Sequence, residues 1–129
     1  MADEVPSVLV VEDDHAINAL IGAYVEICGL TCRQVYDGLS AVESAARMPP
    51  DAVILDLMLP DIDGFEVCRR LRADAATANT PILILSALGG EADRQRGREC
   101  GATEHLTKPF DPERFMQVLK GYASPAREH

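Results

Sequence analysis

Residues 52–64 read AVILDLMLPDIDG, and this stretch decides the fold. The run of β-branched and leucine residues before Asp56 shows no alternation with polar residues. Such a run is typical of a strand that is covered on both faces, and a loop follows it. The stretch therefore predicts a buried strand that places the carboxylate of Asp56 at its C-terminal end.

Other stretches of the chain also have strand patterns, and helical patterns separate them. These additional predicted strands are residues 7–11, 30–36, 82–85 and 102–107. The mixed composition of 30–36 favours a sheet edge. Five strands that alternate with five helices predict an α/β fold, with one doubly wound parallel sheet and right-handed crossovers.

The predicted helices differ in how strongly their caps, apolar stripes and glycine content favour a helix. The first has an apolar stripe that includes Leu20, with Asp14 as its N-cap. The third begins with Asp63 and Glu66 at the spacing of a capping box. The fourth, residues 89–101, contains interior glycines and almost no apolar stripe. Because interior glycine weakens a helix, we expect the fourth to be the most mobile regular element.

Chemically capable residues follow the predicted strands at their C-terminal ends. These residues are Glu12, Asp13, Asp56, Ser86 and Lys108. In an open parallel sheet, ligands bind outside the carboxyl ends of the strands. The topology therefore predicts that all five share one rim of the sheet.

The residue types on this rim indicate phosphoryl chemistry. Carboxylates that converge repel one another, and a hard dication stabilises such a cluster. Mg²⁺ fits because it takes oxygen ligands and commonly lies beside phosphates. A carboxylate accepts a phosphoryl group when nearby charges neutralise the donor. We predict Asp56 as this nucleophile, Lys108 as the cation and Ser86 as a hydrogen-bond donor.

Taken singly, these residues also have structural interpretations. Glu12 and Asp13 are acids near a helix N-terminus, where the helix dipole favours them. Asp61 and Asp63 are interpreted as turn and cap residues, since the twelve-residue pattern of a calcium loop is absent. The prediction of a site therefore depends on the combination of acids, hydroxyl and lysine on one rim.

Composition narrows the class of protein. A formal net charge of −9 over 129 residues argues against direct nucleic-acid binding, which needs clustered basic residues. Four cysteines without CxxC spacing are interpreted as reduced core thiols of a cytoplasmic protein. Neither a signal peptide nor a membrane span is expected. We expect one domain over 1–129, with a core of about 7–123 and a flexible tail at 124–129.

Four segments resemble the receiver domain of bacterial two-component response regulators. They are VLVVEDD at 8–14, LDLMLPDIDG at 55–64, LSA at 85–87 and GATEHLTKPF at 101–110. The resemblance covers residues 8–122 and implies the CheY-like, flavodoxin-like strand order 2-1-3-4-5. It also implies a signalling phosphoacceptor that is not an enzyme beyond its own phosphorylation and dephosphorylation.

The resemblance implies a role for each residue of the site. Asp56 is the phosphoacceptor, Glu12 and Asp13 hold Mg²⁺, and Met58 contributes its backbone carbonyl. The remaining residues act on or beside the phosphoryl group: Ser86 and Lys108 contact it, and Pro109 follows as a cis-proline. The implied donor is a phosphohistidine on a sensor histidine kinase or a phosphotransfer protein, and small phosphodonors are expected to serve as well.

Three positions bear on how the switch and the phosphoryl group of such a domain behave. His105 stands where an aromatic switch residue is expected, so we hypothesise a weaker or pH-sensitive switch in partnership with Ser86. Met58 and Leu88, two positions beyond Asp56 and Ser86, are apolar where fast-hydrolysing members carry polar side chains. We therefore expect slow autodephosphorylation.

Two other classes of protein, a phosphatase and an electron carrier, agree less well with the sequence. A Mg²⁺-dependent phosphatase of the haloacid dehalogenase type would place a second acid where Met58 stands. A flavodoxin-like electron carrier would need a phosphate loop where the acidic residues 12–14 stand. The output is left open between a stand-alone regulator with a downstream protein partner and a receiver fragment of a longer transcription factor or output enzyme. The surface of the fourth helix, fifth strand and fifth helix is expected to bind the partner or a second copy.

Overall fold

The computed structural model describes residues 5–87 and 90–123. In chain order the strands are β1 (Ser7–Val11), β2 (Thr31–Val35), β3 (Ala52–Leu55), β4 (Ile82–Ser86) and β5 (Glu104–Thr107). The helices are α1 (His15–Ile27), α2 (Gly38–Arg47), α3 (Gly64–Ala73), α4 (Glu91–Glu99) and α5 (Pro112–Ala123). The predicted tail at 124–129 and the residues Leu88 and Gly89 lie outside the described residues. Within the described part, none of the helices is long and apolar enough to cross a membrane.

The strands form one parallel sheet in the order β2-β1-β3-β4-β5, which confirms the predicted fold class. Residues of β3 and β4 are buried throughout, as their continuous apolar sequences predict. Strand β2 is half exposed and lies at an edge, in agreement with its mixed composition. The fully buried strands β3 and β4 are therefore the ones that lead to Asp56 and to Ser86.

Two apolar layers cover the faces of the sheet. Successive residues of β1 alternate between them, because side chains of a strand point to opposite faces. Leu9 and Val11 face a layer built with α2 and α3, whereas Val8 and Val10 face a layer built with α1 and α5. Helix α4 is the exception, since Gly97 is its single buried residue. The site-bearing strands are thus fixed by cores on both sides, while α4 contributes little to either.

Side-chain caps begin three of the helices. Asp14 accepts from Ile17 N at 3.0 Å at α1, Asp37 accepts from Ser40 N at 2.7 Å at α2, and Asp63 accepts from Glu66 N at 2.9 Å at α3. The carboxylate of Glu66 bonds Arg69 and Arg70 on its own helix, so only one half of the predicted capping box is seen among the described hydrogen bonds. The physical reason is that arginines one turn away offer charged donors.

Asp61 joins the loop after β3 to the N-terminal end of α2. Its two carboxylate oxygens accept from Gly38 N and Leu39 N, each at 2.8 Å. Burial favours a higher pKa, but these backbone donors outweigh it and lower the pKa of Asp61 to about 2. Asp61 therefore has a structural role, as the sequence predicts, but its partners belong to α2. It caps the N-terminus of α2 and holds that helix to the loop that follows Asp56.

We expect Asp61→Asn to lower the free energy of unfolding by about 1 kcal/mol at neutral pH, as loss of a cap does. Since the folded-state pKa is lowered, the contribution of Asp61 is present above its ordinary value of 3.8 and is lost as pH falls through about 2. Urea unfolding at neutral and strongly acidic pH measures both quantities. Glu43→Gln, on the exposed face of α2, is the control. An equal loss in the control, or a difference between wild type and Asp61→Asn that persists in strong acid, would contradict this role.

Candidate phosphoacceptor site

Three carboxylates meet at the C-terminal end of the sheet. Oxygens of Glu12, Asp13 and Asp56 all lie within 4.8 Å of one another. Glu12 and Asp56 are buried, with 2% and 7% of their surface exposed, whereas Asp13 is exposed. The structure therefore brings together the acidic residues that the sequence placed on one rim.

Strand register explains how these side chains meet. Val11 and Leu55 are paired in the adjacent strands β1 and β3, and the acids follow directly in each chain segment. Asp56 N donates to Val11 O at 3.0 Å, which continues the pairing one residue beyond the strands. The Asp56 oxygen Oδ1 accepts from Leu57 N at 2.8 Å. This hydrogen bond fixes the orientation of the Asp56 carboxylate.

Lys108 supplies a positive charge to the cluster. Its Nζ lies 2.6 Å from Glu12 Oε1 and 3.7 Å from Asp56 Oδ2. Lys108 N donates to Ser86 O at 2.8 Å, so the ends of β4 and β5 are held together. The peptide bond between Lys108 and Pro109 is cis, as expected from the resemblance. The lysine therefore reaches across the sheet toward both buried carboxylates.

The electrostatics of Glu12 favour a cation at the site. Burial raises the pKa of Glu12, and the charge of Asp56 acts in the same direction. The hydrogen bonds from Lys108 and from Asp14 N lower this pKa but do not cancel the effect of burial. An added cation among the carboxylates favours their ionised forms. The oxygen-only donor set of Glu12, Asp13 and Asp56 fits a hard dication such as Mg²⁺.

The other predicted residues occupy different surroundings. Ser86 is fully buried at the end of β4, two positions beyond Ile84, which pairs with Leu55. The side chain of Met58 is 63% exposed. His105 is half-buried in β5, and its backbone oxygen accepts from an arginine of α4 at 3.4 Å. The roles given to Ser86, Met58 and His105 stay predictions.

Two positioning residues were missed by the sequence analysis. Gly64 is buried against the backbone of the Asp56 loop, and a Cβ there would overlap the carbonyl oxygen of Asp56. Asn18 is fully buried in α1, and its Nδ2 donates to Glu12 O at 2.9 Å and Val35 O at 3.0 Å. A polar residue on the core face of α1 was the available signal for Asn18. The glycine that ends the 52–64 stretch was the signal for Gly64.

A family model of the response regulator receiver domain matches residues 8–120. The chain belongs to this family. Among its curated relatives is the DNA-binding dual master transcriptional regulator RpaA of Synechocystis sp., 44% identical over 115 residues, or 89% of this chain and 48% of that protein. The response regulator PleD of Caulobacter vibrioides is 41% identical over 104 residues, or 81% of this chain and 23% of that protein. This receiver domain thus spans about half the length of RpaA and about a quarter of the length of PleD.

Solved receiver domains have the same fold. The receiver domain of sensor histidine kinase PA1611 from Pseudomonas aeruginosa, with a magnesium ion coordinated in its active-site cleft, superposes with a TM-score of 0.85. It is 31% identical and covers 93% of this chain and 98% of its own. Chemotaxis protein CheY4 of Vibrio cholerae gives a TM-score of 0.87 at 29% identity, covering 92% and 99%. Membership of this family places the receiver domain in two-component signalling, and it favours this interpretation over the phosphatase and the electron carrier.

We expect Gly64→Ala to destabilise the receiver domain by about 1–3 kcal/mol, as overpacking does. Its Cβ would meet backbone atoms, including Leu57 Cα at 2.7 Å, so relief requires movement of the Asp56 loop. Gly121→Ala is the matched control, because nothing lies within 4 Å of its Cβ in α5. Alanine there should stabilise the helix by about 0.5–1 kcal/mol. Urea unfolding of both variants checks the pair, and equal midpoints would show that the close approach at Gly64 is unimportant.

Proposed function

We propose that this receiver domain accepts a phosphoryl group on Asp56. The observation that carries the proposal is the position of the Asp56 carboxylate, which is held by Leu57 N and faces the ammonium group of Lys108 at 3.7 Å. Asp61 and Asp63, the other aspartates of the same stretch, cap α2 and α3. Asp56 therefore has the reactive placement that its neighbours lack.

Glu12, Asp13 and Asp56 are proposed to hold Mg²⁺, with the backbone carbonyl of Met58 as a further ligand. The close approach of three carboxylates supports this, as does the burial that penalises the charge of Glu12. When bound, the ion would neutralise charge on the transferring phosphoryl group. The related receiver of PA1611 has a magnesium ion in its active-site cleft.

The proposed transfer forms one bond and breaks one bond. A carboxylate oxygen of Asp56 attacks phosphorus, and the bond from phosphorus to the imidazole nitrogen of the donor breaks. The imidazole keeps the electron pair and takes up a proton. Lys108 and the Ser86 hydroxyl are proposed to donate hydrogen bonds to phosphoryl oxygens, so that negative charge is stabilised as it redistributes.

An apolar groove beside the site supports a protein as the phosphodonor. The groove has a volume of about 470 Å³ and lies between α1 and the loop that joins β5 to α5. Leu20 belongs to the apolar stripe of α1, but it lines this groove and is 49% exposed, so the stripe does not face the core at this position. Pro109 and Lys108 line the groove, and Lys108 also contacts the carboxylates of the site. A sensor histidine kinase or phosphotransfer protein that delivers a phosphohistidine would contact this groove.

The relatives support a proposal for the output of the protein. RpaA is a DNA-binding transcriptional regulator, and this receiver domain spans about half the length of that relative. We therefore propose that phosphorylation changes the surface of α4, β5 and α5, which binds either a fused output domain or a separate protein partner. The switch role of His105, the mobility of α4, a homodimer and the cytoplasmic location stay predictions.

Phosphorylation of purified protein by acetyl phosphate tests the proposed acceptor. We expect wild type to gain one phosphoryl group by intact mass, and to do so only with Mg²⁺. Asp56→Asn should gain none, because its amide cannot form an acyl phosphate. Asp63→Asn, which alters the cap of α3, should still react. Labelling of Asp56→Asn at the wild-type rate would exclude Asp56 as the acceptor.

The lifetime of the acyl phosphate is expected to be much longer than seconds. Met58 is apolar and exposed beside Asp56, so it offers no polar group to orient an attacking water. Met58→Asn should shorten the phosphoryl half-life by about tenfold or more, within the range that positioned proton-transfer groups contribute. Met48→Asn changes a methionine with 64% exposure at the end of α2 and is the control. A wild-type half-life of seconds, or an unchanged half-life in Met58→Asn, would contradict this expectation.

A further inference from the structure

A second site-like feature lies between α4, β5 and α5. It is a cavity of about 240 Å³, and none of its lining residues belongs to the acidic cluster. Its lining consists of Arg94, Gly97, Arg98, Ala102, Glu104, His105 and Arg114. Three guanidinium groups and one carboxylate therefore line a cavity in a chain whose net charge is −9.

The fold creates this cavity by packing a glycine of α4 against the sheet. A Cβ at Gly97 would lie 3.3 Å from Ile84 Cδ1 and 3.8 Å from His105 Nδ1. Glycine at this position lets α4 approach the sheet closely, and the longer side chains around it line the cavity. Arg94 is held on one wall, since its guanidinium donates to Thr107 Oγ1 at 3.1 Å and His105 O at 3.4 Å.

The two other arginines of the cavity are in exposed ion pairs. Arg114 lies 3.4 Å from Glu104, and these side chains are 60% and 35% exposed. Arg98 lies 3.2 Å from Glu91, with exposures of 57% and 84%. Exposed ion pairs are weak because water and salt screen them. Carboxylates of another molecule can therefore replace Glu91 and Glu104 without a large loss.

We propose that this arginine-lined cavity binds an aspartate- and glutamate-rich segment of a partner protein. The planar guanidinium group matches a carboxylate in a bidentate geometry. The proposal rests on the proposed function, because it names the chemistry of the partner that the α4, β5 and α5 surface binds. It adds a charge preference that the phosphoacceptor site does not imply.

Two other occupants fit the charges less well. In a symmetric dimer through this face, the arginines of each copy would meet the same carboxylates, Glu91 and Glu104, with which they already pair in their own chain, so the dimer adds no new acidic partner. Duplex DNA is disfavoured because its binding depends on releasing many counterions, whereas the chain is acidic as a whole. An acidic protein segment is the occupant whose charge complements the cavity.

Strand β5 connects the cavity with the phosphoacceptor site. Thr107, which accepts from Arg94, directly precedes Lys108. A carboxylate bound to Arg94 competes with the contacts that this arginine makes to β5. We therefore expect loading of Asp56 with beryllofluoride to change the affinity for the acidic segment, and by reciprocity the segment to change the stability of the loaded state.

Fluorescence anisotropy with a short labelled peptide of alternating aspartate, glutamate and serine tests the proposal. The control peptide has asparagine and glutamine in place of the acids. We expect saturable binding of the acidic peptide at physiological ionic strength. The affinity for the control peptide should be lower by about tenfold or more. The double variant Arg98→Gln, Arg114→Gln should lose about tenfold or more in affinity for the acidic peptide.

A matched double variant, Arg47→Gln with Arg70→Gln, removes exposed ion-paired arginines of α2 and α3 and should bind as wild type does. Equal binding of both peptides, wild-type affinity in the cavity variant, tighter binding of duplex DNA, or self-association that the cavity variant abolishes would overturn the proposal. Acetyl phosphate labelling of the same proteins separates the two ideas. Failure of labelling in wild type would remove the proposed function even if the acidic peptide binds.

Discussion

The ion pair between Lys108 and Glu12, at 2.6 Å, is the interaction on which the site depends. It joins the end of β5 to the end of β1, which are separated by 96 positions in the chain. Without a cation, the buried carboxylates of Glu12 and Asp56 would repel each other in surroundings that screen charge poorly. Lys108 offsets part of this repulsion, and the remaining negative charge makes the cluster a place for a dication. The chemistry thus follows from a charge balance that the sheet imposes.

The apolar layers on both faces of the sheet hold the strand ends, and therefore these charged side chains, close together. Residues of β1, β3 and β4 are held by side chains of four helices, so the strand ends cannot separate without exposing core surface. Helix α4 stands apart because its contribution to the core is Gly97. The acidic rim and the arginine-bearing helix α4 therefore share β5, through Lys108 directly after it and Arg94 on its side. We propose that charge added at Asp56 affects this arginine-lined surface.

Much of the fold and of the candidate site could be predicted from local sequence patterns. Continuous apolar strands, polar residues at their ends and aspartates at helix starts each depend on a few neighbouring residues, and Asp14 and Asp63 cap their helices as expected. The features that the sequence did not reveal depend on distant partners. Asp61 caps a helix more than twenty positions earlier in the chain, and Leu20 is exposed because the loop before α5 leaves a groove beside it. Neither partner is visible from sequence spacing.

The sequence by itself determined the fold class and the set of residues on the rim, because the strand ends follow from the apolar runs and the strand order follows from the family's motifs. Only the tertiary structure decided which charges touch. It placed Lys108 on Glu12 as well as beside Asp56, set Gly64 against the carbonyl of Asp56, and gathered three arginines around a cavity. The physical reason is that electrostatic and steric interactions act over a few ångströms in space, whereas the residues that make them are far apart in the chain.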